Sequence, residues 1–188
     1  MTSNPTKRKV AIIGAGASGL VAIKCCLDED ISPVCFEKTS AIGGLWNYKN
    51  GLHEDRGVVM KTTVINTSKE MMCYSDYPIP DEFPNYMHNT KVYEYFELYA
   101  NEFDLYKYIK FNHRVDNVSK VENTNGKWKV CFTDLDSDQS HKDEFDAVFL
   151  CNGHHADKRV PQFPGQELFK VSFETTMLQV LLLFGCRQ

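Results

Sequence analysis

The 188-residue sequence has no low-complexity tract, no internal repeat and no apolar run of membrane-spanning length. Its most apolar stretch, MLQVLLLFGC at residues 177–186, is well short of the roughly 20 residues that a membrane-spanning helix requires. Positive charge is not in excess either, since 21 Lys and Arg face 25 Asp and Glu. The net charge of −4 argues against a nucleic-acid partner. We therefore expect neither a membrane-spanning segment nor a nucleic-acid interface in this chain.

The cysteines lack the patterns of a disulfide framework or a metal site. Seven is an odd number, there is no C-x-x-C, and the adjacent Cys25 and Cys26 would point apart on a predicted helix. His154 and His155 resemble a metal-binding pair, but no third ligand is suitably spaced, so we predict no metal site. The basic, apolar start at residues 7–23 contains three spaced glycines, which suit a strand, turn and helix better than a signal peptide. These features favour a reduced, cytoplasmic environment.

The sequence does contain a βαβ pattern at its start. Its apolar spacing predicts a buried parallel strand over residues 9–13, a helix over 17–28 and a second strand over 33–38. An amphipathic helix is predicted over 91–103, and a closing apolar strand over 145–153 ends in glycine. Parallel strands joined through helices are typical of a doubly wound sheet.

Short β-like runs lie between these elements. We predict strands over residues 108–112, 114–122 and 127–134 as an antiparallel excursion, and a strand-like run over 58–68. The charged stretch over 134–144 is predicted to be a solvated loop or hairpin tip. The fold class is therefore α/β, a Rossmann-like fold with an inserted antiparallel β-meander.

Residues 9–20, KVAIIGAGASGL, contain the G-x-G-x-x-G spacing between the first strand and the first helix. In a loop that binds a pyrophosphate, Gly14 allows the tight turn, Gly16 lets backbone N–H groups approach the phosphates, and Gly19 lets helix and strand pack closely. The N-terminus of the following helix adds partial positive charge. This context predicts dinucleotide binding.

Glu37 lies at the end of the second strand, 18 residues after Gly19. A carboxylate there accepts hydrogen bonds from ribose hydroxyls and repels a 2′-phosphate, so NADPH is disfavoured at this site and FAD and NAD remain. The alternative is a surface acid beside Lys38. Since the carboxyl ends of parallel strands share one edge, we expect the glycine loop, Glu37 and Asn152-Gly153 on one rim.

The loop GGLWNY at residues 43–48 follows this acid. A plain NAD dehydrogenase does not require it. In flavoproteins with two dinucleotide-binding domains, such a loop runs along the pyrophosphate and ribityl chain. The loop therefore favours FAD over NAD.

Several stretches together resemble the flavin-containing monooxygenases of the dimethylaniline type: GAGASGL, FEK, GGLW, INTSKEMMCYSDYPIPDEFPNYMH, FDLYKYIKF and CNGHH followed by FPG. The resemblance runs from about residue 9 to Lys170. It implies an FAD-dependent, NADPH-using enzyme that places oxygen from O₂ on a soft nitrogen or sulfur nucleophile, as in N-oxidation of N,N-dimethylaniline. For full-length members it also implies attachment to the endoplasmic reticulum membrane.

The resemblance also implies which residues bind FAD: Gly14, Ala15, Gly16, Ala17, Ser18, Gly19, Glu37, Gly44, Leu45, Trp46, Asn66 and Thr67. Asn66 matches a family asparagine beside the isoalloxazine ring and NADP, which makes it the catalytic candidate. Its alternatives are a turn residue and the acceptor of an N-T-S glycosylation sequon. Ile65 stands where the family usually has threonine, which weakens the expected contact to NADP.

The resemblance divides the chain into a flexible N-terminus at 1–8, the N-terminal part of an FAD-binding domain at 9–170, and a divergent tail at 171–188. Family members continue with a second glycine-rich fold for NADPH, which the tail does not match. We therefore expect a shortened, cytoplasmic product that lacks the NADPH domain and membrane anchor. A non-catalytic FAD-binding isoform is the alternative, and a simple NAD dehydrogenase is disfavoured.

Overall fold

The computed structural model describes residues 7–50, 56–122, 124, 126–154 and 161–168, which form two sheets and a helical layer. The strands are β1 Lys9–Ile13, β2 Ser32–Phe36, β3 Ile109–Lys110, β4 His113–Lys120, β5 Trp128–Asp134, β6 Gln139–Phe145 and β7 Ala147–Leu150. The α-helices are α1 Ala17–Asp28, α2 Lys69–Met72 and α3 Asn89–Glu102. Short 3₁₀ helices cover Gly44–Trp46, Tyr106–Tyr108 and Gln166–Leu168.

The parallel sheet, with strand order β3-β2-β1-β7, lies at the centre of the fold. In β1, Ala11 lies opposite Val34 of β2 and Val148 of β7. Successive side chains of β1 point to opposite faces, so Val10 and Ile12 pack with the helices while Ala11 packs against the second sheet. Both faces of the sheet are covered, which explains why β1 is apolar from Val10 to Ile13.

Helices α1 and α3 cover one face of this sheet. Leu20 and Ile23 of α1 are fully buried there, and so is Tyr99 of α3. The apolar spacing along each helix directs one stripe of side chains toward the core. The helices predicted over 17–28 and 91–103 are confirmed, each within two residues of the observed ends.

The other face is covered by the antiparallel sheet, whose strand order is β4-β5-β6. The ring of Phe132 in β5 lies 4.6 Å from that of Phe36 in β2, measured between centroids. Phe145 of β6 packs edge-on against Phe36 at 6.0 Å. Three consecutive strands paired in this way are the predicted β-meander inserted into a Rossmann-like fold, so the predicted fold class is confirmed.

The strand predicted over residues 58–68 is wrong. In this described segment, regular pairing is limited to an isolated bridge between Val64 and His88. The side-chain amide of Asn89 donates to the carbonyl oxygens of Met60 at 3.0 Å and Lys61 at 3.1 Å. Because these backbone groups bond to the start of a helix, they are not available for a sheet ladder.

Two further predictions are corrected. In the stretch predicted as a solvated loop, only residues 135–138 form the hairpin tip, because Gln139–Phe145 is strand β6. Its charged residues fit an exposed edge strand, which natural proteins protect with charge. The run over 108–112 supplies the two-residue strand β3, which pairs in parallel with β2 instead of joining the antiparallel sheet.

Some predictions fall outside the described residues. These are the first six residues of the N-terminal segment, His155 of the histidine pair, and the whole tail over 171–188. Among the helices within the described ranges, none combines the length and the apolar character needed to span a membrane.

Candidate functional site: a pocket between two glycine loops

A pocket of about 440 Å³ opens at the carboxyl ends of β1, β2 and β7. Its lining comprises residues 13, 14, 16–18, 36–39, 43–46, 56, 57, 113–115 and 151–154. The predicted rim is confirmed, because Gly14, Glu37, Asn152 and Gly153 all line this one pocket. The volume lies in the usual range of small-molecule and cofactor sites.

The first glycine loop is packed too closely for side chains at two positions. Gly14 has φ +99°, and a Cβ there would lie 2.5 Å from the carbonyl oxygen of Cys151. A Cβ on Gly19 would lie 1.8 Å from the carbonyl oxygen of Gly14. Gly14 N–H also donates to the carbonyl oxygen of Phe36 at 2.8 Å, joining β1 to β2. The tight turn and the close packing of helix on strand both require glycine.

The second glycine loop is held directly against the first. Gly43 N–H donates to the carbonyl oxygen of Ala15 at 2.9 Å. A Cβ on Gly44 would lie 3.3 Å from the Cα of Gly16, so the backbones of the two loops are in close contact beside the pocket. Gly43 rests on the ring of Tyr93 from α3, which a Cβ would approach to 2.8 Å. The structure thus brings together two motifs that are 24 residues apart at their nearest glycines, Gly19 and Gly43.

The N-terminus of α1 faces this pocket through Gly16, Ala17 and Ser18. Within the described residues no side chain caps this helix at Gly16, and the sequence places no acid in its first turn. First-turn N–H groups have no intrahelical acceptors, and the helix dipole favours an anion beside them. Backbone donors facing a glycine-lined space fit a diphosphate group.

Glu37 is buried, with 7% of its surface exposed, which excludes the alternative of a surface acid. Its Oε2 accepts from Ala15 N–H at 2.8 Å. Its Oε1 accepts from both the backbone N–H and the hydroxyl of Thr39, at 2.9 and 2.8 Å. A carboxylate offers about four acceptor positions, so roughly one is left for a ribose hydroxyl. Glu37 therefore also ties the glycine loop to the end of β2.

Pocket residues that sequence reasoning missed come mainly from the turn after β2 and from the start of β4: Lys38, Thr39, Arg56, Gly57, His113, Arg114 and Val115. His113 N–H donates to the carbonyl oxygen of Glu37 at 2.9 Å, which brings β4 to the pocket. The ring Nδ1 of His113 lies 2.6 Å from the carbonyl oxygen of Phe111. No motif in the sequence signals this crossing of β4 over the pocket.

Arg114 forms an ion pair with Asp116, with Nε 2.8 Å from Oδ1. The hydroxyl of Thr133, and then Arg114, stabilise the charged form of Asp116 and lower the pKa of its carboxyl. Arg114 therefore lines the pocket as the second residue of β4 with its guanidinium paired to Asp116.

Not every predicted binding residue reaches the pocket. Asn66 and Thr67 are exposed and do not line it. Ala15 is fully buried and Gly19 is buried beneath the loop. Cys151 is half-buried and lines the pocket, and burial raises the pKa of its thiol.

Fold and site together define an α/β protein with a glycine-lined pocket at the carboxyl ends of its parallel strands. The sequence model of the flavin-binding monooxygenase-like family matches residues 7–176. The chain belongs to this family, whose members use a flavin cofactor.

Named relatives agree with this assignment. Flavin-containing monooxygenase 5 of Mus musculus is 54% identical over 168 residues, which are 87% of this chain and 31% of the mouse protein. Flavin-containing monooxygenase 2 of Homo sapiens is 47% identical over 167 residues, again 87% of this chain and 31% of the relative. The chain thus spans about a third of the length of the curated relatives it matches.

A similar fold occurs in the structure of S-allyl-L-cysteine S-oxygenase from Allium sativum, with a TM-score of 0.78 and 29% identity. The match covers 87% of this chain and 40% of the garlic protein's chain.

Proposed function

We propose that this chain is the FAD-binding part of an NADPH-using monooxygenase that oxygenates soft nitrogen or sulfur nucleophiles. One observation carries the proposal: both glycine loops and the buried Glu37 carboxylate surround a single pocket in a chain of the flavin-binding monooxygenase-like family. The likeness to a protein named an S-oxygenase supports a sulfur nucleophile as one substrate class.

The pocket residues fit FAD as follows. The first-turn N–H groups at Gly16, Ala17 and Ser18 hold the diphosphate, since they face the pocket and have positive character. Glu37 accepts from the adenosine ribose through its remaining acceptor position. The Gly44–Trp46 turn covers the opposite side of the cofactor. Bound FAD supplies the redox and oxygen chemistry, while the protein orients it and limits access of water.

Asn66 and Thr67 contact the flavin end of the cofactor in this proposal, and the Asn66 amide is a hydrogen-bond donor and acceptor for it. Both residues are exposed in this chain. The proposal takes NADPH as the reductant of FAD bound in this pocket. It also assigns the monooxygenase to the endoplasmic reticulum membrane.

A second candidate function is a non-catalytic FAD-binding isoform. The described pocket favours it, since both glycine loops surround one space that suits a single dinucleotide. The two candidates differ in one observable property: only the monooxygenase passes electrons from NADPH to bound flavin.

An absorption spectrum of the purified chain, recorded after adding FAD and desalting and again after anaerobic NADPH, tests both candidates. Flavin bands that remain and are bleached by NADPH support the monooxygenase. Bands that remain but do not respond to NADPH support the non-catalytic isoform. Loss of the bands on desalting contradicts FAD binding and with it both candidates.

A further inference from the structure

Tyr74 makes a direct contact with the helix that borders the pocket. Its hydroxyl donates to the carbonyl oxygen of Ala17 at 2.7 Å, across 57 residues of sequence. Ala17 is the first residue of α1 and lines the pocket. Tyr74 itself is absent from the pocket lining, so it contacts the helix on the side away from the pocket.

Tyr74 is itself held firmly by helix α3. Its backbone N–H donates to the Tyr95 hydroxyl at 2.8 Å, and that hydroxyl donates to the carbonyl oxygen of Tyr77 at 2.6 Å. Its ring lies 4.4 Å from the Tyr99 ring and 6.1 Å from the Phe96 ring, measured between centroids. The aromatic cluster fixes the position of the hydroxyl independently of the hydrogen bond to Ala17.

The Tyr74 hydroxyl also remains a donor over the ordinary pH range. Burial raises the pKa of its phenol well above the usual value, with smaller contributions from neighbouring tyrosines and Asp76. The hydrogen bond from Tyr74 to the Ala17 carbonyl oxygen is therefore retained near neutral pH.

The first turn of α1 depends on contacts of this kind. In the described residues no side chain caps it at Gly16, and the preceding loop consists of small residues that restrict the backbone little. We infer that Tyr74 is a positioning residue, whose hydroxyl fixes the first turn of α1 so that its N–H groups face the FAD diphosphate. This inference rests on the proposed FAD-binding function and assigns to Tyr74 no contact with the cofactor.

Substitution Tyr74→Phe removes only the hydroxyl and leaves the ring packing in place. Tyr77→Phe is the matched control, because Tyr77 packs in the same cluster against Tyr95 and Tyr99. Within the described part of the chain, its hydroxyl makes no hydrogen bond. Both variants lose one oxygen atom from one aromatic cluster, so a general effect on packing appears in both.

The test measures the FAD dissociation constant of each 188-residue variant by flavin fluorescence titration, with thermal unfolding alongside. We expect Tyr74→Phe to bind FAD about fivefold more weakly, the effect of one lost hydrogen bond, and Tyr77→Phe to match wild type. In the absence of FAD, hydrogen exchange of peptides covering residues 14–22 is expected to quicken in Tyr74→Phe alone.

Three results would overturn the inference. Equal FAD affinity and equal exchange in Tyr74→Phe and wild type remove the positioning role and leave the proposed function intact. If both variants lose the same FAD affinity and their unfolding temperatures fall in parallel, Tyr74 contributes only through packing. Failure of the wild-type chain to bind FAD overturns the proposed function and this inference together.

Discussion

The carboxylate of Glu37 and the backbone N–H of Ala15 form a buried hydrogen bond of 2.8 Å between the end of β2 and the first glycine loop. The same carboxylate accepts two hydrogen bonds from Thr39. A residue expected from its position to recognise a ribose therefore also ties the first glycine loop to the turn after β2. Its substitution should affect folding and ligand binding together.

Substitution Glu37→Gln tests this double role. The side-chain amide has one acceptor oxygen, so an N–H₂ group must face either Ala15 N–H or the donors of Thr39. We expect a loss of about 1–3 kcal/mol in the free energy of unfolding, measured by urea denaturation, and weaker FAD binding. Glu102→Gln on exposed α3 surface is the control and should change neither. If the Glu37→Gln variant is as stable as wild type, the interpretation of the Glu37 hydrogen bonds is contradicted.

Substitution Ser18→Asp separates anion binding from stability. Ser18 is exposed in the first turn of α1 and lines the pocket. A carboxylate there stabilises the helix through its dipole but repels a diphosphate. We expect FAD affinity to fall about tenfold or more, measured by titration, while the unfolding temperature stays the same or rises.

Thr90→Asp is the matched control, because Thr90 is the second residue of α3 and exposed, as Ser18 is in α1. It adds the same charge at the same helical position away from the pocket. Equal loss of FAD affinity in both variants would point to net charge alone and contradict a diphosphate site at α1.

Substitution Gly43→Ala tests the contact between the second glycine loop and α3. Gly43 has φ +94°, and its Cβ would lie 2.8 Å from the Tyr93 ring. Gly126→Ala is the control, since Gly126 has φ +83° with nothing within 4 Å of a Cβ. We expect both to show the cost of positive φ, about 1 kcal/mol, and Gly43→Ala to lose about 1–3 kcal/mol more from the clash. Denaturant unfolding measures both, and equal losses would contradict the close packing on Tyr93.

Much of the fold was predictable because its signals are local. The apolar run at residues 9–13 and the glycine spacing define β1, the turn and α1, and the second strand follows from the same pattern. The pocket rim followed from one geometric rule, that carboxyl ends of parallel strands share an edge. Gly14, Glu37 and Asn152 meet there although they are far apart in sequence.

The errors arose where distant contacts decide the structure. Residues 58–68 have the composition of a strand, but their backbone bonds to Asn89, which no local pattern reveals. Strand β6 is almost entirely polar or charged because it is an exposed edge, so it lacks the apolar alternation used to recognise strands. His113 enters the pocket only through the path of β4 across the end of β2.

Substitution Asn89→Ala tests that distant contact. Asn89 is 1% exposed, and its amide donates to the backbone carbonyls of Met60 and Lys61, with that of Thr63 at 3.4 Å. The variant loses these side-chain donors, while each carbonyl keeps a second partner in Thr63 N–H, the His88 ring or Asn89 N–H, so we expect a loss of about 1–2 kcal/mol in denaturant unfolding. Asn101→Ala at an exposed position of the same helix is the control and should stay within about 0.5 kcal/mol of wild type. A loss below 0.5 kcal/mol in Asn89→Ala would mean that the segment is held by other contacts.

The outer edge of β7 in the parallel sheet differs from edge strand β6 of the antiparallel sheet. Phe149 and Leu150 are 46% and 71% exposed, and in the described ranges no strand pairs with this edge. Edge β6, by contrast, carries charged side chains at Lys142, Asp143 and Glu144. An apolar, unpaired edge favours association between chains.

Substitution Leu150→Lys should therefore reduce aggregation, because a lysine on an edge strand must be buried and desolvated when a second strand pairs there. We expect a larger soluble fraction after centrifugation and less light scattering at equal protein concentration, with the far-UV circular dichroism unchanged. Leu135→Lys is the control, since Leu135 is 40% exposed at the β5–β6 hairpin tip and lies on no strand edge. If both lysine variants improve solubility equally, net charge is the cause and the β7 edge is not the site of association.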